Sequence, residues 1–369
     1  CSSDLNAAAL FPTVRGEEDA GWSNPMWRES KMKKLAFVAA AGAVAFAGGA
    51  QADTLSDTIA RGVLNCGVNI GVPGFAEQAD DGSWSGLDVD VCRSVGAAIF
   101  GDADKVAYFP VNSSERFNKL NAGEYDLLSR NTTWTFSRDV DLGLSFQGVN
   151  YYDGQGFMVP TSLGVSSAAD LDGATVCVQT GTTTELNLAD FFADNGISYT
   201  PYVVTTAAET NEAYLAGLCD VYTTDASGLA ANRTTFPDPS AHVILPEIVS
   251  KEPLGPVTRQ GDDVWGDIVR WTLNSMIIAE ELGITSDNAA AMAADADASA
   301  GVKRLLGVEG GYGSMLGLSD DAFLNSLSQV GNYGESFDRN VGPETAVGLD
   351  RGLNALWTDG GILYAPPFR

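Results

Sequence analysis

The chain has 369 residues, too many for one ordinary core and enough for two domains with an appendage. Hydrophobic residues make up 45% of it, yet no run of 18 or more consecutive apolar residues occurs, so the sequence offers no membrane-spanning helix. The formal net charge of −27 repels nucleic acid phosphates and anionic lipid, which excludes both as partners.

Near the start, Lys31, Lys33 and Lys34 precede an apolar run, 35–47, that is too short to span a bilayer, and Ala50 and Ala52 stand at cleavage spacing behind it. Residues 32–52 are therefore expected to be a signal peptide starting at Met32, with 1–31 an upstream, non-native extension and Asp53 the first mature residue. The segment 1–52 holds five basic and five acidic residues, so the remainder keeps the whole −27. Its lysines are Lys105, Lys119, Lys251 and Lys303. An acidic surface so poor in lysine suits a saline medium, where screening limits self-repulsion.

Export favours disulfides. Cys66 and Cys92 fall in the first half of the chain and Cys177 and Cys219 in the second, so each pair is expected to close within one lobe. No pair has CxxC spacing and His242 is the single histidine, so neither a zinc site nor any other metal is expected.

Taken in order, residues 63–68 alternate as a first strand, and 86–101 carry Val91, Val95 and Ile99 at helical spacing behind a glycine and two acids. Residues 106–111 form a strand, 115–121 a helix and 125–128 a third strand, the alternating order of a doubly wound sheet. After residue 160 a similar order returns. Strands are predicted over 174–178, 202–204 and 219–223, with a Gly/Thr loop at 179–184 and a helix opening at 185–190. The chain is thus expected to be α/β, with two doubly wound lobes joined by stretches at 153–160 and 252–258. The first lobe takes 53–156 and 258–369, the second 157–257. A long helix is predicted from Asp263 to Leu282, and 283–369 form a helical extension with an extended end.

The stretch 129–138, SRNTTWTFSR, follows the third strand of the first lobe and carries a run of donors. Asn131, Thr132, Thr133, Thr135 and Ser137 offer amide and hydroxyl groups, Arg138 offers a planar fork suited to a carboxylate, and Trp134 adds a flat wall. Such a set suits a small anion, although a polar loop with an ordinary surface ion pair would read the same way in isolation.

Gly86-Leu87-Asp88-Val89-Asp90-Val91, followed by Val95, Gly96 and Ile99, resembles the signature of family 3 extracellular solute-binding proteins, the periplasmic receptors of polar amino-acid ABC importers. The run from Asp53 to Arg369, including NTTWTFSR, VCVQTGTTTELN, SKEPLGPVTRQGDD and LNALW, is similar to the general L-amino-acid-binding subgroup. The resemblance implies a type II periplasmic binding protein fold with two hinge strands. It also implies a broad-specificity, non-catalytic receptor, without cofactor, that closes on the zwitterion and hands it to permease subunits. A monomer is expected. Residue by residue, Arg138 would take the α-carboxylate, Gly181, Thr182 and Thr183 would add donors at a helix start, and Asp225 would take the α-ammonium with help from Asn131 and Thr133. Members selective for basic amino acids carry an acid near the end of the first strand. Here Asn69 and Val72 stand there, so a tolerant side-chain pocket is expected, with Phe75, Trp84 and Trp134 as candidate walls. The alternative is a cyclohexadienyl or arogenate dehydratase-like enzyme on the same fold. Against it, His242 alone provides no histidine-based acid–base pair, and no phosphate-binding glycine loop is present.

Overall fold

The computed structural model describes residues 53–369. The expected signal peptide and upstream extension lie outside the described residues. Two five-stranded sheets organise the chain. In the first, the strands run in the order Val106–Pro110, Leu64–Val68, Leu127–Leu128, Val257–Arg259 and Leu144–Phe146. The first three are parallel, with Cys66 opposite both Tyr108 and Leu127, and Val257–Arg259 runs antiparallel to its neighbours on either side. The second sheet repeats the plan with Tyr199–Val204, Ala174–Gln179, Val221–Asp225, Gln155–Pro160 and His242–Ile244. Three parallel strands are again followed by an antiparallel one, Thr224 facing Gly156. Leu64, Cys66, Val68, Leu127 and Leu128 are wholly buried, as expected of strands covered by helices on both faces.

Between the sheets the chain crosses twice, at Tyr151–Asp153 and Glu252–Leu254, and these segments pair as an antiparallel ribbon with Tyr152 opposite Pro253. The expected joining stretch 153–160 is therefore, from Gln155 onward, a strand of the second sheet. Its five buried residues, Gln155 to Val159, show why periodicity was silent there: a central strand covered on both faces has no alternation to read.

The helix Leu87–Phe100 is buried along most of its length, because the sheet covers one side while the long helix Asp263–Glu281 and Ala322–Val330 of the extension cover the rest. Its N-cap Gly86 has φ +133°, and a Cβ there would stand 2.1 Å from the Phe75 carbonyl oxygen. Only glycine supplies that conformation and that approach. The two acids of its first turn face different partners. Asp90 accepts bonds at 2.6 Å from Ser336 Oγ, Arg339 Nη2 and Asn340 Nδ2, which anchors the helix Tyr333–Asn340 of the extension. Asp88 points toward the loop after Leu128.

The extension has a structural role that composition did not disclose. Tyr333 donates to the Asn150 carbonyl at 2.8 Å, and Asn354 exchanges two hydrogen bonds with the backbone of Tyr152 in the hinge ribbon, at 2.7 and 3.1 Å. The end of the chain is packed as well. The Phe368 ring meets Trp271, Tyr312 and Phe323 edge-on at 5.0–5.6 Å, and Arg304 Nε donates to its carbonyl. Disulfides join Cys66 to Cys92 and Cys177 to Cys219, one beside each sheet.

Gly86→Ala should destabilise the fold by at least about 3 kcal/mol, since backbone must move to admit the methyl group and the φ value is wrong for alanine. Urea denaturation of the two proteins side by side measures this, and equal midpoints would contradict it.

Candidate functional site

A cavity lies between the two lobes at the ends of the parallel strands, where doubly wound sheets place their ligands. From the first lobe it is lined by Asn69, Val72, Arg116, Arg130, Asn131 and Thr133. From the second come Gln179, Thr182, Thr183, Tyr222, Thr224 and Asp225, among others.

The first-lobe wall is shaped by Asp88. Its Oδ2 accepts the Asn131 amide at 2.8 Å, while Oδ1 accepts Asn150 Nδ2 at 3.0 Å and Ser129 Oγ at 3.4 Å. Asn131 has φ +38°, alone among the described non-glycine residues in having positive φ. Asparagine tolerates that region better than most residues, and the Asp88 bond holds it there. The side chain then accepts from Asn69 Nδ2 at 3.1 Å. Further on, Thr135 caps the short helix Phe136–Val140 by accepting the Arg138 amide.

On the second lobe Thr182 is the N-cap of the helix Thr183–Asp194 and accepts the Glu185 amide, so the positive end of the helix opens toward the cavity. Glu252, in the hinge ribbon and 1% exposed, ties the two lobes together. Its Oε2 accepts Thr133 Oγ1 at 2.6 Å and Thr183 Oγ1 at 2.8 Å, and its Oε1 accepts Ser250 Oγ at 2.7 Å and Asn187 Nδ2 at 2.8 Å. Ser113 Oγ also reaches across to the Thr180 carbonyl at 3.1 Å. The lobes are therefore in contact on either side of the cavity.

Six of the sequence-predicted site residues come together here: Asn69, Asn131, Thr133, Thr182, Thr183 and Asp225. Arg138, Gly181 and Trp134 do not line the cavity. Arg138 is buried beside it, with Nη1 donating to the Thr133 carbonyl at 2.9 Å and the guanidinium over the Phe117 ring. Gly181 turns with φ +73° close against the backbone of Ser114. Trp134 stacks on Phe146 at 5.4 Å and is 40% exposed. Nor do the other aromatic candidates form walls: Phe75 is core, edge-on to Tyr151, and Trp84 packs on Tyr108. Val72 and Tyr222 supply apolar surface instead. Sequence reasoning missed Arg116, Arg130, Glu252 and Tyr222. Arg130 sat inside the stretch already singled out. Arg116 opens the helix Arg116–Asn121, close to the 115–121 expected, but nothing in its spacing marks it as buried toward the cleft. His242 bonds Tyr214 Oη through Nδ1 at 2.9 Å and is not among the cavity's lining residues.

Charge is concentrated in this small space. Burial raises the Asp225 carboxyl well above its ordinary value, and the like charges of Asp153 and Glu252 raise it further against Arg116 and Arg138. Burial also pushes Asp153 up to about 6, although its oxygens accept from Ser227 Oγ and the Gly154 amide. Burial lowers Arg138, opposed by Glu252 and Asp225, and brings Arg130 down to about 10. The Asp225 carboxylate accepts no hydrogen bond from any side chain or amide among the described residues: Asp225 is the N-cap residue of the helix Ala226–Arg233, but its side chain makes no capping bond. The site thus presents one unsatisfied carboxylate and several guanidinium groups across a cleft that two lobes close.

Two α/β lobes on a two-stranded hinge, with a polar charged cleft between them, define a bilobal solute-binding protein. The model of the bacterial extracellular solute-binding proteins, family 3, matches residues 64–289, and the chain belongs to that family. It is 55% identical to the glutamate/glutamine/aspartate/asparagine-binding protein BztA of Rhodobacter capsulatus and 54% identical to the general L-amino acid-binding periplasmic protein AapJ of Rhizobium johnstonii. Each alignment covers 92% of this chain and 100% of the relative. Among solved structures, an ABC transporter periplasmic binding protein from Brucella ovis with glutathione bound superposes with a TM-score of 0.84 at 52% identity, over 86% of this chain and 100% of that one.

A carboxylate whose folded pKa is raised contributes stability at low pH that is lost as pH climbs from the unfolded value through the folded one. For Asp153 that window lies between the ordinary carboxylate range and about 6. Asp225→Asn removes a like charge from beside Asp153 and Glu252, so the unliganded variant should be more stable at pH 7 by about 1 kcal/mol. Its advantage should shrink toward pH 4. Thermal denaturation at both pH values checks the sign.

Proposed function

We propose that this chain is the periplasmic receptor of an ABC importer, that it captures L-amino acids of several kinds by closing its lobes on the zwitterion, and that it delivers them to the membrane permease. The observation that carries this reading is the unpartnered Asp225 carboxylate facing guanidinium groups across the cavity. An α-ammonium satisfies Asp225, and an α-carboxylate satisfies an arginine together with donors at the helix start around Thr182 and Thr183. Both ends of the ligand lose water in the cleft, so each needs a fixed opposite charge. Asn69 and Val72 place no charge near the first strand, which favours tolerance toward the ligand's side chain. The names of BztA and AapJ describe amino-acid binding by those relatives, in keeping with this reading.

Closure has a structural basis in Glu252, whose Oε2 is shared by Thr133 from one lobe and Thr183 from the other. Opening the cleft separates those hydroxyls, while ligand bridging the lobes favours the closed surface that a permease would read.

With ligand stripped by refolding, several chemically different L-amino acids should raise the melting temperature and their D-enantiomers should not. Asp225→Ala, which removes the counter-charge of the ammonium, and Arg138→Ala, which removes the guanidinium buried beside the cavity and bonded to the Thr133 carbonyl, should each weaken amino-acid binding by at least about a hundredfold while leaving the protein folded. Near-native affinity in either variant would remove that residue from the grip, and the absence of any shift with L-amino acids would remove the reading.

A further inference from the structure

An aspartate at a helix N-cap ordinarily turns its carboxylate back onto the second or third amide of its own helix. Asp225 stands at that position before the helix Ala226–Arg233 and does not do so. The hinge ribbon has taken the start of the helix instead. The Ala226 amide donates to the Gly154 carbonyl at 2.8 Å, and the Ser227 amide donates to Asp153 Oδ1 at 3.4 Å. Ser227 Oγ donates to Asp153 Oδ2, and the Gly154 amide donates to Asp153 Oδ1 at 2.8 Å, which fixes the carboxylate in place. Asp153 therefore does the work that the Asp225 side chain would otherwise do.

The surrounding charges leave Asp225 no other partner. Those acting on it are Asp153 and Glu252 from the ribbon and Arg116 and Arg138 from the first lobe. Glu252, opposite Asp153 in the ribbon, is committed to Thr133, Thr183, Asn187 and Ser250. Neither arginine forms an ion pair with Asp225. A carboxylate already bonded at the helix start also repels a second one, so Asp225 is left to line the cavity.

We propose that Asp153 is a positioning residue for ligand binding: by capping the helix Ala226–Arg233 from the hinge ribbon, it keeps the Asp225 carboxylate off its own helix and free for the ammonium of the ligand. The inference rests on the amino-acid-receptor reading and adds to it a residue outside the cavity lining, whose effect on binding passes through Asp225. Without Asp153 the Ser227 amide and hydroxyl lose their acceptor, and Asp225, as the N-cap residue, is placed to replace it. Turned back onto the helix, Asp225 would find its own donors and leave the ammonium without a counter-charge.

Isothermal titration of the ligand-stripped protein and of Asp153→Ala and Asp153→Asn, each with L-glutamine and L-leucine, tests it. Asparagine caps helices about as well as aspartate, so Asp153→Asn should bind within about threefold of the unsubstituted protein, whereas Asp153→Ala should bind at least about tenfold more weakly. Carboxyl carbon NMR of the unliganded variants, with the Asp225 signal assigned by its absence from Asp225→Asn, gives a readout that lost stability alone does not move. Both variants lose the same negative charge. The Asp225 signal should nevertheless titrate at lower pH in Asp153→Ala than in Asp153→Asn, because a carboxylate that accepts helix amides favours its charged form. Should Asp153→Ala fail to refold, Asp153→Val, which suits a strand, takes its place. Equal losses of affinity in the two variants overturn the proposal, since the charge of Asp153 and not its cap would then matter. Retained affinity in Asp153→Ala overturns it too, as does an Asp225 signal that titrates alike in both. An unsubstituted protein that binds neither amino acid shows instead that the underlying receptor reading has failed.

Discussion

The buried carboxylate of Asp88 joins most of what matters in this molecule. It sits in the first turn of the helix Leu87–Phe100, where the positive end of the helix favours a negative charge. Burial raises its pKa, and bonds from Asn150 and the Asn131 amide act in the opposite direction, with Arg130 nearby. Those bonds connect the helix to the cavity loop and to the residue that precedes the hinge ribbon. A hydrophobic replacement could fill the space but would leave the half-buried Asn131 amide without this acceptor and remove a bond that holds the positive φ of the cavity loop. One position away in the same turn, Asp90 anchors the C-terminal extension through Ser336, Arg339 and Asn340. The family's signature is thus two buried acids with different mechanical tasks.

The cleft illustrates a general tension between stability and binding. Three arginines and three carboxylates share a small space, yet no arginine among Arg116, Arg130 and Arg138 forms an ion pair with any described residue. Direct pairing of those groups would give a more settled unliganded protein and a poorer receptor, because a ligand would first have to break the pairs. Holding the charges apart on separate elements leaves them under-satisfied until a molecule with both signs arrives.

The extension qualifies the picture of two lobes swinging freely on two strands. Asn354 bonds both backbone groups of Tyr152 in the hinge ribbon, and Tyr333 bonds the Asn150 carbonyl. Residues far along the chain therefore brace the strand about which the lobes would turn. The apolar end of the chain contributes by covering one side of the long helix through Phe368 on Trp271.

Much of the fold was legible in the chain because short-range patterns carried it. The order of strands and helices, the glycine before two acids and the two pairs of cysteines all follow from residue type and local spacing. The strand Gln155–Pro160 was not legible, because its sides are both buried and its alternation is lost. Of the cleft, Asn131 and Thr133 were reached from the donor-rich stretch 129–138, and Asn69, Thr182, Thr183 and Asp225 only through the family resemblance. Arg116, Arg130 and Glu252 were not, since a charged residue shows in sequence only its type, while its partners come from other elements. The sequence by itself determined the α/β order, the family signature and the donor-rich loops. Tertiary structure alone decided which charges meet, that Trp134 stacks on Phe146 rather than walling the cavity, and that Glu252 joins Thr133 to Thr183. The physical reason is that periodicity and turn chemistry act over a few residues, whereas burial and charge pairing act between segments brought together from different parts of the chain, as Thr133 and Glu252 are from 119 residues apart.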